Sequence, residues 1–346
     1  MTGQLSLFGA DPPAPVAPPA TPTATGRSAP AAQGREAAPV PDALQALAAR
    51  LPAALHLGTS SWSFPGWAGI LYAGAASEVT LSRHGLTAYG RHPLLRTVSI
   101  DRTFYAPLSA EQFAAYAQQV PAHFRFMVKA PAFITDFYRR GERGKPEGEN
   151  PLFLDAERAR RECIEPCMAG LREKAGPLVF QLSPLGRAAA REVPRIIERL
   201  HDFLAALQAH APGPLYAVEP RDPEFLTPAL IDVLTVNRAR LCLGVHARMP
   251  PAAQQAALLA TLPPGAVIAR WNLHAGYAYA DAKAHYAPFD RMVDEDLPTR
   301  AALADLAAHA LNGGQPVFIS VNNKAEGSAP LSCFALARAI ADRLPA

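Results

Sequence analysis

The sequence predicts one (β/α)8 barrel, TIM-barrel-like in the α/β class, behind a disordered amino-terminal tail. Three observations carry this. Eight short β-rich runs alternate with segments of helical apolar spacing. Polar residues recur immediately after the β-rich runs, where such barrels keep their chemistry. And residues 9 to 41 hold nine prolines among Ala, Thr and Gly, too few large apolar side chains for a core.

The elements follow in chain order. Residues 10–41 read as a disordered linker, spanning roughly 30 Å as a coil or about 100 Å as polyproline. Asp42 reads as the N-cap of a short helix ending before Pro52, and opens a barrel domain over 42–346. Strands are expected at Leu55–Thr59, Arg96–Asp101, Phe124–Ala130, Leu178–Leu182, Leu215–Glu219, Leu241–Val245, Val267–Trp271 and Val317–Val321. Helices are expected at Glu111–Val120, Asp155–Ala175, Val193–His210, Thr227–Val236 and Arg300–Leu311. A doubly wound open sheet is the alternative, but Gly58-Thr59-Ser60-Ser61 after the first strand lacks the spacing of a phosphate-binding glycine loop.

Composition narrows the function classes. A net charge of +3 over 346 residues argues against a general nucleic-acid coat and leaves only local patches. Four cysteines, Cys163, Cys167, Cys242 and Cys333, are few for this length and suggest a reducing compartment. No basic stretch followed by an apolar run opens the chain, and no apolar run reaches 18 residues. The expectation is a cytoplasmic protein that does not enter a membrane.

Ahead of the linker, within residues 1–9, Gln4-Leu5-Ser6-Leu7-Phe8 resembles the sliding-clamp-binding peptide of bacterial replication and repair proteins. Gln4 offers an amide for the edge of a cleft. Leu5, Leu7 and Phe8 offer apolar anchors, with Leu7 and Phe8 contributing about 3–5 kcal/mol of burial before ordering costs. A presented peptide on a tether fits weak, exchangeable docking. The competing reading is an apolar start that packs on its own body.

Further motifs, in order along the barrel, carry a second resemblance. Gly58-Thr59-Ser60-Ser61-Trp62-Ser63-Phe64, Thr103-Phe104-Tyr105, and Phe124 through Pro131 are similar to signatures of the YecE-like family, a bacterial family of unknown function. So are Gly176 through Leu182, Val218-Glu219-Pro220-Arg221-Asp222-Pro223, Arg270 through Gly276 and Val321-Asn322-Asn323-Lys324. The resemblance spans about residues 55–343 and implies a TIM-barrel-like fold without implying a reaction. The chain departs from that pattern at Ser99, where a Glu is usual, and at His246, where an Asp is usual.

The strand ends supply the candidate site. Glu219 is a candidate general base or metal ligand and Arg221 a candidate fork for phosphate or carboxylate, the alternative being a structural ion pair that closes the barrel end; the Pro between them keeps both on one face. Lys129 ends an apolar strand as an electrophile, phosphate contact or imine-forming amine, or else as a rim lysine whose head snorkels to solvent. Arg270, Asn272 and His274 alternate, so one face is expected to carry all three, with His274 as the acid/base partner of Glu219. Gln181, Asp101, Asn322 and Asn323 close the ring, and Trp62 and Tyr105 are candidate stacking surfaces among the aromatics Phe64, Trp67, Tyr72 and Phe104. Asp101, Glu219, His246 and His274 have metal-ligand chemistry but no tight ligand spacing, so no metal is predicted and the cofactor is left unknown. Arg139, Arg140, Arg143 and Lys145 mark residues 138–150 as a charged loop on the same face, its acids Glu142, Glu147 and Glu149 favouring a solvated loop over a phosphate contact. Cys163 and Cys167 share a helix face and read as packing.

Together these features point to a hydrolase or nuclease-like enzyme of nucleic acid or another phosphoester, brought to DNA by the clamp. The alternatives are a small-molecule barrel enzyme of sugar phosphates or glycosides, and a non-catalytic clamp-associated binding protein.

Overall fold

The computed structural model describes residues 35–141, 146–210 and 214–345. Eight parallel strands close into a barrel: β1 (Leu55–Thr59), β2 (Thr97–Ile100), β3 (Arg125–Lys129), β6 (Ala175–Gln181), β7 (Tyr216–Glu219), β8 (Arg240–Val245), β9 (Val267–Trp271) and β10 (Val317–Val321). Around the ring the order is β1–β10–β9–β8–β7–β6–β3–β2, and β2 pairs back onto β1. The predicted barrel is therefore the observed one. A separate antiparallel pair, β4 (Tyr138–Arg140) and β5 (Pro146–Glu149), follows the helix after β3.

Strand periodicity builds two cores. One inward row, Met127, Val179, Ala217, Cys242, Ile268 and Phe318, fills the lumen as a small apolar plug. The intervening residues face outward, where Val128, Phe180, Val218, Leu243, Ala269 and Ile319 pack under the helices in a second, larger cluster. Two residues beyond each plug residue the inward row continues with Lys129, Gln181, Glu219, Gly244, Arg270 and Ser320. The step of two thus lays a polar layer directly on an apolar one. Closure between β1 and β2 depends on Gly58, where a Cβ would fall 1.8 Å from the Thr97 carbonyl oxygen.

The structure differs from the sequence reading at several elements. Asp42 is the first residue of the helix Asp42–Arg50, not its cap; Pro41 occupies the cap with extended backbone and no side-chain cap bond forms. Residues 35–41, assigned by composition to the linker, lie on the barrel: Ala37 bridges Tyr72, Ala38 is buried, and Arg35 donates to the Gly74 and Ala75 carbonyls. Small side chains without a core of their own can still add backbone bonds to an existing edge. The helix expected over 155–175 stops at Leu171, because Arg172 takes a positive φ of 52° and β6 begins at Ala175. Glu78–Tyr89 and Ala329–Ala341 are helices that the apolar pattern did not disclose.

Candidate functional site

The polar layer above the lumen plug is an ion network between two carboxylates and two guanidiniums. Arg221 Nη2 lies 2.8 Å from Glu219 Oε1, and Arg270 Nη1 lies 2.8 Å from Glu219 Oε2. The second Arg270 nitrogen reaches Asp101 Oδ2 at 2.5 Å, and Ser99 donates to the other Asp101 oxygen at 2.5 Å. Gln181 Oε1 accepts from Arg221 at 2.6 Å and from Arg270 at 3.3 Å, while Asn272 Nδ2 donates to Glu219 at 3.2 Å. Glu219 is fully buried and Arg221, Arg270 and Gln181 nearly so. Gly244 makes room for this, since a Cβ there would sit 3.0 Å from Glu219 Oε1.

Charges at this depth require mutual neutralisation. Burial alone would raise the Glu219 carboxyl, but Arg221 and Arg270 outweigh it and hold the group below its usual range. Burial alone would likewise lower Arg270, and Asp101 with Glu219 reverses that. Glu219 and Arg270 therefore stand as a mutually charged pair at the centre of the network.

Lys129 stands apart from that balance. It is 3% exposed, and its Nζ sits 3.5 Å from the centre of the Phe104 ring. Among the described residues no carboxylate lies within ion-pair distance of this amine. Burial pushes it down to about 7, with Arg270 and Arg221 adding to the fall while Asp101 and Glu219 oppose it. An amine that titrates near neutrality, on a barrel strand end, can give and take a proton under ordinary conditions.

The other predicted residues divide. Asp101, Gln181, Arg221, Arg270 and Asn272 join Glu219 in one network. His274 does not: the strand ends at Trp271, the chain turns, and the His274 ring contacts the Ala275 carbonyl at 2.6 Å and the Tyr277 ring. Alternation carries a side chain inward only while the strand lasts. Asn322 bonds Ser60, and Asn323 accepts from Trp67 Nε1 and from the Ala329 amide, so both brace the rim. Trp62 spends its indole N–H on the Ser82 carbonyl and packs edge-on to Tyr116, whereas Tyr105 is 43% exposed beside Phe104. The His246 ring is pushed down to about 4 by burial, with Arg221 adding to the fall, which keeps it neutral at pH 7.

Within the expected charged loop, Arg139 donates to the Glu147 carbonyl across the β4–β5 pair and Glu149 pairs with Arg195 at 2.6 Å. Arg143, Lys145 and the peptide Gln4–Phe8 lie outside the described residues. Among the described residues no group of three or more His, Cys, Asp or Glu is disposed to hold a metal ion, and no helix is long and apolar enough to cross a membrane. Cys163 and Cys167 are buried, as packing requires. An open cavity of about 630 Å³ lies at the opposite end of the barrel, lined by Val40, Gln45, Ala48, Arg91 and Arg96. It holds none of this chemistry.

Sequence reasoning missed the supporting residues. In the sequence Ser99 stands out only as a departure from the family pattern, yet it fixes Asp101; Phe104 is only one aromatic of a cluster, yet it underlies the lysine. Gly244 carried no local signal, because its reason is a carboxylate on the neighbouring strand.

Comparison with known proteins agrees with this architecture. The family model described as "Protein of unknown function DUF72" matches residues 56–345, consistent with the YecE-like resemblance of the motifs. A DUF72 family protein from Thermotoga maritima superposes with a TM-score of 0.53 at 17% identity, covering 82% of this chain and 98% of that one. One from Enterococcus faecalis gives 0.52 at 19% identity, covering 83% and 95%. At such identities the likeness establishes the fold alone. No curated protein sequence matches the chain.

Proposed function

The chain belongs to the DUF72 family, and from the chemistry of its barrel mouth we propose an enzyme acting on a small anionic substrate, a phosphoester or a carboxylate. Lys129 exchanges the proton, and the Arg270–Glu219–Arg221 network fixes the field around it. The observation that carries this reading is the amine itself: buried, stacked on Phe104, and titrating at about 7. When an anion settles beside it the ammonium form gains a partner, so ligand binding and protonation reinforce each other. The depth of the network also bears on substrate size. A duplex phosphate backbone does not reach groups this enclosed, whereas a small molecule can, which favours the small-phosphoester form of the reading over direct attack on DNA.

Thermal melts of the full chain against a panel of phosphorylated and carboxylated metabolites test it. At least one probe is expected to raise Tm, by about 2.7 kcal/mol of stabilisation at a hundredfold excess over Kd. The rise should vanish in a folded Lys129→Met variant. A panel that moves neither protein, or a shift that survives the substitution, defeats the assignment.

A second reading concerns recruitment and stands on a different observation, the sequence Gln4-Leu5-Ser6-Leu7-Phe8 ahead of a Pro/Ala-rich tether. Here the chain docks weakly on the DNA sliding clamp through those five residues. Purified bacterial clamp should bind the full chain with micromolar affinity and lose the Leu7→Ala/Phe8→Ala variant. Equal binding by both would remove the peptide from the account, without touching the barrel site.

A further inference from the structure

We propose that Lys129 is a nucleophilic amine that forms an imine with the carbonyl of a small aldehyde or ketone admitted to the barrel mouth. This rests on the enzyme reading above and names the substrate class.

The argument begins with what holds each cation. Arg270 is fixed by Glu219, Asp101 and Gln181, and Arg221 by Glu219 and Gln181. Both carboxylates are thereby committed to guanidiniums, and the one amine in the layer is left with an aromatic face. A lysine meant to serve as a fixed charge is expected in the reverse arrangement, ion-paired at the rim. Here the nitrogen itself rests over the Phe104 ring and is spared a salt bridge that would keep it protonated. Burial, followed by the two arginines, favours the neutral form that owns a lone pair.

The layer also supplies the remaining parts. In the first step the Lys129 lone pair forms a C–N bond to the carbonyl carbon, the carbonyl π pair moves to oxygen, and one amine proton passes from nitrogen to that oxygen. In the second, nitrogen's lone pair closes the C=N bond as the oxygen leaves, carrying the amine's other proton away as water. Amine plus carbonyl gives imine plus water, with no change of oxidation state. The product is a cation when protonated, and Asp101 and Glu219 lie close enough to act on the charge at this nitrogen. Asp101, tied by Ser99 and Arg270, is thus placed to stabilise an iminium without moving.

Reductive trapping reads this directly. The full chain is incubated at neutral pH with pyruvate, glycolaldehyde or dihydroxyacetone phosphate and sodium cyanoborohydride as the hydride donor. Lysine peptides are then mapped. The sequence has only five lysines, Lys129, Lys145, Lys174, Lys283 and Lys324, so each is its own control. The expected result is an added mass equal to the probe less one oxygen, on Lys129 in large excess over the other four and absent from Lys129→Arg. A Lys129→Met variant that melts cooperatively, at or above the wild-type temperature, shows that the site remains folded. Trapping spread evenly over the lysines, or absent from Lys129 with every probe, overturns the imine. If metabolite-induced, Lys129-dependent stabilisation persists in that second case, the enzyme reading survives while the covalent step falls; if both are lost, the site itself is misread.

Discussion

Raising the pH should stabilise the wild-type barrel relative to a Lys129→Met variant, because burial disfavours the ammonium form of this lysine. Burial brings this amine down to about 7 from 10.5. The folded chain therefore releases the proton near neutrality, while the unfolded chain holds it to about pH 10.4. Between those limits the unfolded state binds more protons, so the group's contribution to unfolding free energy rises with pH. Below pH 7 both states are protonated and the penalty is complete; above 10.5 both are neutral and it has gone. The gap of about 3.5 pH units (10.5 − 7) at ~1.4 kcal/mol each gives on the order of 4–5 kcal/mol. With Lys129 only 3% exposed, water screens little of this. Urea unfolding of both proteins at a series of pH values from below neutrality to about 10 gives the measured quantity, the difference between them. Buried thiols and tyrosines such as Cys333 and Tyr89, raised by burial, pull the other way at alkaline pH, but they are common to both chains and cancel. The variant should be the more stable at pH 7, and its lead should shrink steadily as pH rises. A lead that stays constant or widens would refute the account of Lys129.

Two further outcomes concern the same layer and a third the buried thiols. Glu219→Gln strips Arg221 and Arg270 of their shared counter-charge and should cost about 3–5 kcal/mol, read as a fall in Tm on the order of 5–8 °C for a barrel of this size. A loss under about 1 kcal/mol would mean the network is not what holds these groups. Gly244→Ala sets a methyl 3.0 Å from Glu219 Oε1 and should destabilise by about 1–3 kcal/mol, most of it removed in a Glu219→Ala background, where the opposing atoms are gone. The four cysteines are all buried, so native protein should react with an aromatic disulfide reagent only as fast as it unfolds; prompt release from any one thiol would contradict its placement.

How much of this could be read beforehand depends on whether the cause is local. Lys129, Gln181, Glu219 and Arg270 each end a short apolar run, and period two with a polar terminus is visible in one strand alone. What pairs with what is not visible: Arg270 bridges carboxylates 51 and 169 residues away, on strands brought together only by closure. The His274 expectation failed at the same boundary. Its alternation with Arg270 and Asn272 is genuine in the sequence, but the Asn272 and His274 amides bond the Val245 and Lys324 carbonyls as the chain leaves the strand. The helix Glu78–Tyr89 escaped notice although Ser77 caps it through the Thr80 amide, because its residues alternate polar and small too often for an apolar stripe. Yet that helix carries Tyr89, whose hydroxyl accepts from the Thr59 amide and donates to the Thr97 carbonyl, at the seam where the barrel closes. Ala329–Ala341 failed for the opposite reason: it is apolar on nearly every side and largely buried, so no period stands out. The free amine of Lys129 belongs to this non-local class as well. A lysine after an apolar run is common, and whether it is a counter-ion or a reactive base depends on how many carboxylates the closed ring leaves for it. In this ring Glu219 and Asp101 are both taken by arginines.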